Sequence, residues 1–172
     1  MSRINQSNII VKLYTHLPII LLFISVLNES DFNNMGLKYF SFNFSFILIF
    51  YFSVKKSNSL GYVLVFIAGL FNDVVLGLPI GISSLIFLLL CGAAAYLRNI
   101  TLRPNLMKDW IFFLISILII KSIFFLILTF IFNYEIDFLL QVVNIIFTFL
   151  LYICFSYLFQ YVESFFAGRS YD

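Results

Sequence analysis

The chain is 172 residues long, 63% apolar, 20% aromatic and only 10% charged, with a net charge of +2. Soluble domains run near half apolar and about a quarter charged. A surface this poor in charge excludes a water-soluble enzyme, a disordered segment and a nucleic-acid-binding module.

A hydrocarbon core of about 30 Å needs roughly 20 apolar residues per helix. Six segments approach that length, at 13–27, 39–54, 60–76, 80–97, 110–132 and 138–161. The first has Arg3 and Lys12 before it, as a signal peptide would, but no small-x-small cleavage site follows, so it reads as a retained helix. A polar break at 28–34 leads to the second segment, which opens Phe40-Ser41-Phe42-Asn43-Phe44-Ser45-Phe46. The alternation has a strand period. An isolated strand in lipid leaves its backbone unpaired, so a helix is predicted there. Ser41 and Ser45 then share a face, with Asn43 roughly opposite. A short turn at 55–59 precedes the third segment. Gly77-Leu78-Pro79-Ile80-Gly81 is a tight turn between the third and fourth, since Gly permits positive φ and Pro fixes its own. The stretch 98–109, with Pro104, is the longest polar connection, and 133–137 joins the last two segments. The predicted fold is all-α: one transmembrane domain over 1–172, built as a six-helix bundle.

Six spans put the N-terminus, the 55–59 turn, the 98–109 loop and the C-terminus on one side. That side holds Arg3, Lys12, Lys55, Lys56, Arg98, Arg103, Lys108 and Arg169, eight of the ten basic residues. Lys38 lies opposite, with Glu29, Asp31, Glu135 and Asp137. The positive-inside rule then predicts cytoplasmic termini.

Catalytic and metal chemistry find little footing. The lone His16 falls near the cytoplasmic end of the first span, as an interfacial anchor. Cys91 and Cys154 lie within apolar runs, without metal-ligand or disulfide spacing. There is no G-x-x-x-x-G-K-[ST] loop. No cofactor or metal is expected. Lys121 sits mid-span, where a charge must face other helices or water. Asp73 comes 13 residues after Leu60 and Lys121 comes 11 after Trp110. At about 1.5 Å per residue their depths differ by roughly 3 Å. A buried polar cluster is therefore expected, with Asp73 and Lys121 paired directly or through Asn144. In the competing reading Lys121 snorkels and Asp73 caps the outer end of its own helix. Cys91-Gly92-Ala93-Ala94-Ala95 gives the fourth span a slim surface for close helix packing.

The stretch from Gly69 through Asp73, Gly77, Pro79 and Gly81 into the apolar run 82–90 resembles the rod shape-determining protein MreD family. The family has G-x-x-x-D near the end of its third helix, then a Gly, a Pro and a second Gly before the fourth. Length, six spans and cytoplasmic termini agree with that resemblance, which otherwise rests on about 20 residues. It implies a non-enzymatic membrane scaffold that works with a single-span MreC-like partner. It also implies indirect links to an MreB-like filament, a RodA-like glycan polymerase and a penicillin-binding protein, the machinery of lateral peptidoglycan synthesis. The family is similar in fold to the substrate-binding subunits of energy-coupling-factor vitamin transporters, which implies a related six-helix bundle with room for a central pocket. Gly69, Asp73, Gly77, Pro79 and Gly81 become the motif or partner-docking candidates. For the basic loop 98–108 two readings stand, contact with anionic lipid or a filament-linked partner, and plain solvated, lipid-facing positive charge, which is the favoured one. A vitamin-uptake subunit is the first rival reading. A lipid-processing enzyme is the second, weakened by the scarcity of histidine and acid.

Overall fold

The computed structural model describes residues 17–27, 42–55, 60–101, 105–134 and 137–168, the last four by backbone alone. His16, Lys12, Lys38, Ser41 and the termini lie outside the described residues, as do Glu29, Asp31, Lys56, Arg103, Pro104 and Glu135. Every regular element described is helical. In chain order these are α1 (Leu17–Leu27), α2 (Phe44–Lys55), α3 (Tyr62–Leu76), α4 (Ile82–Ile100), α5 (Leu106–Leu126) and α6 (Phe138–Gly168). A π turn, Ile127–Ile131, prolongs α5.

The boundaries follow local chemistry. Gly77 ends α3 in the left-handed conformation, with its N–H on the Asp73 and Val74 carbonyls, as glycine C-caps do. Asn105 starts α5 by accepting the Met107 N–H through its side chain, 3.1 Å. Asn133 leaves the π turn at φ 51°, a conformation Asn tolerates.

The alternating stretch becomes helical from Phe44, later than the expected start at 39. Phe42 and Asn43 precede the helix, and the Asn43 N–H donates to Thr148 Oγ1 at 2.9 Å. Likewise the polar connection after α4 is shorter than expected. It ends before Leu106, so Lys108 and Asp109 belong to the first turn of α5.

At the centre of the bundle is α2. Its residues from Ser45 to Ser53 are all buried, the expected location of a helix that is apolar all round. Ser45 shares a hydrogen bond with Ser25 of α1, 2.7 Å. Phe46 meets Phe87 of α4 edge-on at 5.9 Å, and Phe50 contacts Phe113 of α5 at 5.0 Å and Tyr152 of α6 at 5.8 Å. Such aromatic pairs stabilise by roughly 0.5–1.5 kcal/mol each beyond area burial. Helix α3 packs most closely on α4 and meets α1 through Phe23 and Phe71.

Three helices, Ile82–Ile100, Leu106–Ile131 and Phe138–Ser164, are long and apolar enough to cross a membrane. The other three are apolar but shorter, with 12 residues in α2 and 15 in α3. At 1.5 Å per residue these two reach about 18 and 22 Å. Outward faces carry large apolar side chains, among them Val63 and Val74 on α3, Ile111 and Ile119 on α5, and Leu139 and Leu150 on α6. A belt of this kind suits lipid and not water.

Candidate functional site at the α3–α4 hairpin

Asp73 lies in the last turn of α3 and is completely buried. Its carboxylate reaches across the hairpin to the start of α4. Oδ2 accepts the Gly81 N–H at 2.7 Å and Oδ1 accepts the Ser83 N–H at 2.8 Å. These are charge-assisted bonds, and they fill donors that a helix start leaves without intrahelical partners. Negative charge at that position is also favoured by the α4 macrodipole. Behind it, the Asp73 carbonyl accepts the Leu78 N–H at 2.9 Å. One residue thus closes the end of α3 with its backbone and the start of α4 with its side chain.

The glycines make this possible. Gly77 and Gly81 have φ of +64° and +103°, and the Pro79 carbonyl between them accepts the Ile82 N–H at 3.4 Å. One helical turn before Asp73, Gly69 faces α4. A Cβ there would lie 2.4 Å from Ser84 Cα and 2.6 Å from Ser84 N. Ser84 Oγ donates to the Phe66 carbonyl at 3.0 Å, and Asn72 Nδ2 donates to Ser83 Oγ at 3.0 Å. The hairpin is latched by paired contacts along its length.

The two charges expected to pair are held apart. Lys121 Nζ lies over the rings of Phe46 and Phe124, 4.9 and 5.5 Å from their centroids, while the oxygens of Asp73 belong to the hairpin. No ion pair joins Asp73 and Lys121 among the described residues. The physical reason is that backbone N–H groups already satisfy the buried carboxylate. Asp73 also caps α4 rather than its own helix. Asn144, on α6, is half-buried, and its carbonyl accepts from Thr148 Oγ1, Asn43's partner. Lys121 and Asn72 do share a cavity of about 330 Å³, together with Asn43, Ser83 and Tyr134.

A match to the model of the family described as rod shape-determining protein MreD runs over residues 10–162. The chain belongs to the MreD family. It is therefore a rod shape-determining membrane protein. All five motif positions fall inside the matched stretch. No curated protein and no solved structure matches. The likeness in fold to vitamin-transport subunits is thus not among these findings.

In this MreD chain a second polar cluster, at the far end of the bundle, was not legible in the sequence. Asp109 is 1% exposed and lies 3.4 Å from Lys55 Nζ. Arg98 Nη1 donates to the Ser53 carbonyl at 3.2 Å, near the C-terminus of α2. Trp110 stacks on Phe149 at 4.4 Å and donates its indole N–H to the Phe149 carbonyl at 3.0 Å. In the sequence Asp109 closes the polar connection 98–109, and nothing there marks it as buried. The only available signal was that Lys55 falls on the same side by span counting.

Proposed function

We propose that this MreD-family chain is a non-enzymatic scaffold of the bacterial cell-elongation machinery. It spans the cytoplasmic membrane six times with both termini inside. It docks the transmembrane helix of an MreC-like single-span protein and so supports lateral peptidoglycan synthesis. Filament, glycan polymerase and penicillin-binding protein connect to it through that partner. The observation carrying this reading is the state of Asp73. The family motif's carboxylate takes two backbone N–H groups and fixes the α3–α4 hairpin, a task of architecture. Around that rigid core, α5 and α6 present long apolar faces outward. In lipid, helix association there draws on van der Waals packing and a few interhelical hydrogen bonds.

The test is a mild-detergent pull-down of the tagged protein from its own cells, read by mass spectrometry. Recovery of an MreC-like protein with a RodA-like polymerase or a penicillin-binding protein is the expected result. Recovery of ATPase subunits with a coupling membrane subunit would replace the scaffold by a transporter component. Reporter fusions at both termini check the orientation. A terminus reporting from outside the cytoplasm would overturn the six-span arrangement.

A further inference from the structure

The cavity beside the hairpin has a chemistry that scaffolding does not use. Its volume, about 330 Å³, falls at the lower end of the range for small-molecule sites. Aromatic and aliphatic side chains line most of it, including Phe87 and Leu128, and beside Asn43 and Tyr134 it is lined by Lys121, Ser83 and Asn72 from three different helices. Lys121 of α5 brings an ammonium group held over two rings. Ser83 of α4 accepts from Asn72 Nδ2 and keeps its own hydroxyl proton to give. Asn72 of α3 is 5% exposed, and its Oδ1 has no hydrogen-bond partner. A buried polar atom without a partner is destabilising, and such a group is a reason to look for what completes it.

We infer that this cavity binds an oxyanion carrying one proton of its own, a singly protonated phosphate, joined to a small apolar body. The ammonium of Lys121 supplies the opposite charge, and the Ser83 hydroxyl donates to a phosphate oxygen. The phosphate's own O–H donates to Asn72 Oδ1, which satisfies the atom left open. The rings and Leu128 receive the apolar part. Arginine is the usual residue for bidentate phosphate recognition, while lysine serves as a point charge. The site therefore favours a monoester terminus over an extended polyanion. The inference does not depend on which partner the bundle docks, because Lys121, Ser83 and Asn72 all belong to this chain.

The experiment uses the purified full-length chain in neutral detergent. Acetylation of lysines by acetic anhydride is followed by mass spectrometry, with hexyl phosphate, inorganic phosphate or hexanol added. Hexyl phosphate at ten times its dissociation constant is expected to slow Lys121 modification about tenfold, by simple occupancy. Lys108, exposed at the other end of the bundle, is expected to react at an unchanged rate. Equal protection by inorganic phosphate identifies a free oxyanion as the source. Protection by hexyl phosphate alone identifies a headgroup carrying a chain, as in a lipid. Either result supports the site. Hexanol protecting as well as hexyl phosphate, no protection of Lys121, or equal slowing at Lys108 overturns it. As a second reading, Lys121→Gln should weaken hexyl phosphate binding about ten- to a hundredfold, the worth of a charged hydrogen bond. Lys121→Arg should retain most of the binding. Undiminished affinity in a folded Lys121→Gln protein also overturns the site. If that variant does not fold, the acetylation result on the unaltered chain decides.

Discussion

Gly69 and Ser84 stand so close that a single methyl group on the glycine would lie 2.4 Å from the Ser84 Cα. Backbone is not free to give way like a long side chain, so Gly69→Ala must push α3 from α4. The hydrogen bonds from Asn72 to Ser83 and from Ser84 to Phe66 span the same gap and would lengthen with it. Overpacking of a tight core costs typically 1–3 kcal/mol, and about 3 kcal/mol is expected here. Gly92 is the matched control, since nothing lies within 4 Å of its would-be Cβ. Gly92→Ala should raise stability by about 0.5–1 kcal/mol through helix propensity. Thermal unfolding of both variants in detergent checks the contrast. Equal behaviour would show that the close approach is not a determinant of stability.

The hairpin glycines make a different prediction, set by backbone angles. Gly77 has φ +64° and ψ 29°, within the left-handed region that Asn also visits. Gly77→Asn should therefore be nearly neutral, while Gly77→Val should cost about 2 kcal/mol. Gly81 sits at φ +103°, outside the small left-handed well. There even Asn is strained, and Gly81→Asn should cost more than Gly77→Asn. Folded yield and melting temperature of the three variants give the order.

Those two glycines mark what the sequence could disclose. Glycine and proline act locally, so the turn at 77–81 and the ends of α3 and α4 were readable from residue chemistry. The apolar runs located the later helices but not their ends: α6 begins at Phe138 where its run does, yet it continues to Gly168, and α5 begins at Leu106, four residues before its run. What depth arithmetic could not give is azimuth. Asn72 and Lys121 do line one cavity, but the carboxylate of Asp73 is taken by N–H donors only eight and ten positions on. The burial of Asp109 was hidden for a similar reason. Helical register, not hydropathy, decides whether a polar residue in a first turn faces water or a lysine on a neighbouring helix.

Asp73 and Lys121 can be separated by a double-mutant cycle. Asp73→Asn leaves one oxygen to accept one N–H and turns an NH2 group against the other donor. Loss of a charged hydrogen bond and an unmatched buried donor should cost about 1.5–3 kcal/mol. Lys121→Gln should have an independent effect, because the lysine faces Phe46 and Phe124. The double variant should then be additive within about 0.5 kcal/mol. A coupling energy well above that, measured by reversible unfolding in detergent, would show that the two charges interact directly.

Lys55 and Asp109 should show the opposite behaviour, strong coupling. The Asp109 side chain is 2% exposed and that of Lys55 22%, with 3.4 Å between Nζ and Oδ2. Lys55 is the last residue of α2 and Asp109 lies in the first turn of α5, so the pair pins the central helix to its neighbour. Each charge also complements the dipole of its own helix end. Removing the lysine alone, as Lys55→Met, leaves a carboxylate sealed in the bundle without its partner. Breaking a buried pair costs 3–5 kcal/mol when both groups are fully desolvated. With Lys55 partly open to solvent, the expected cost is about 3 kcal/mol. The double variant Lys55→Met with Asp109→Leu removes both charges and fills their space with apolar atoms. It should recover most of that loss, since replacing a buried pair by packed apolar residues is often neutral. Unfolding of the two single variants and the double variant gives the cycle directly. A double variant as unstable as the sum of the singles would mean that Asp109 is held by something other than Lys55.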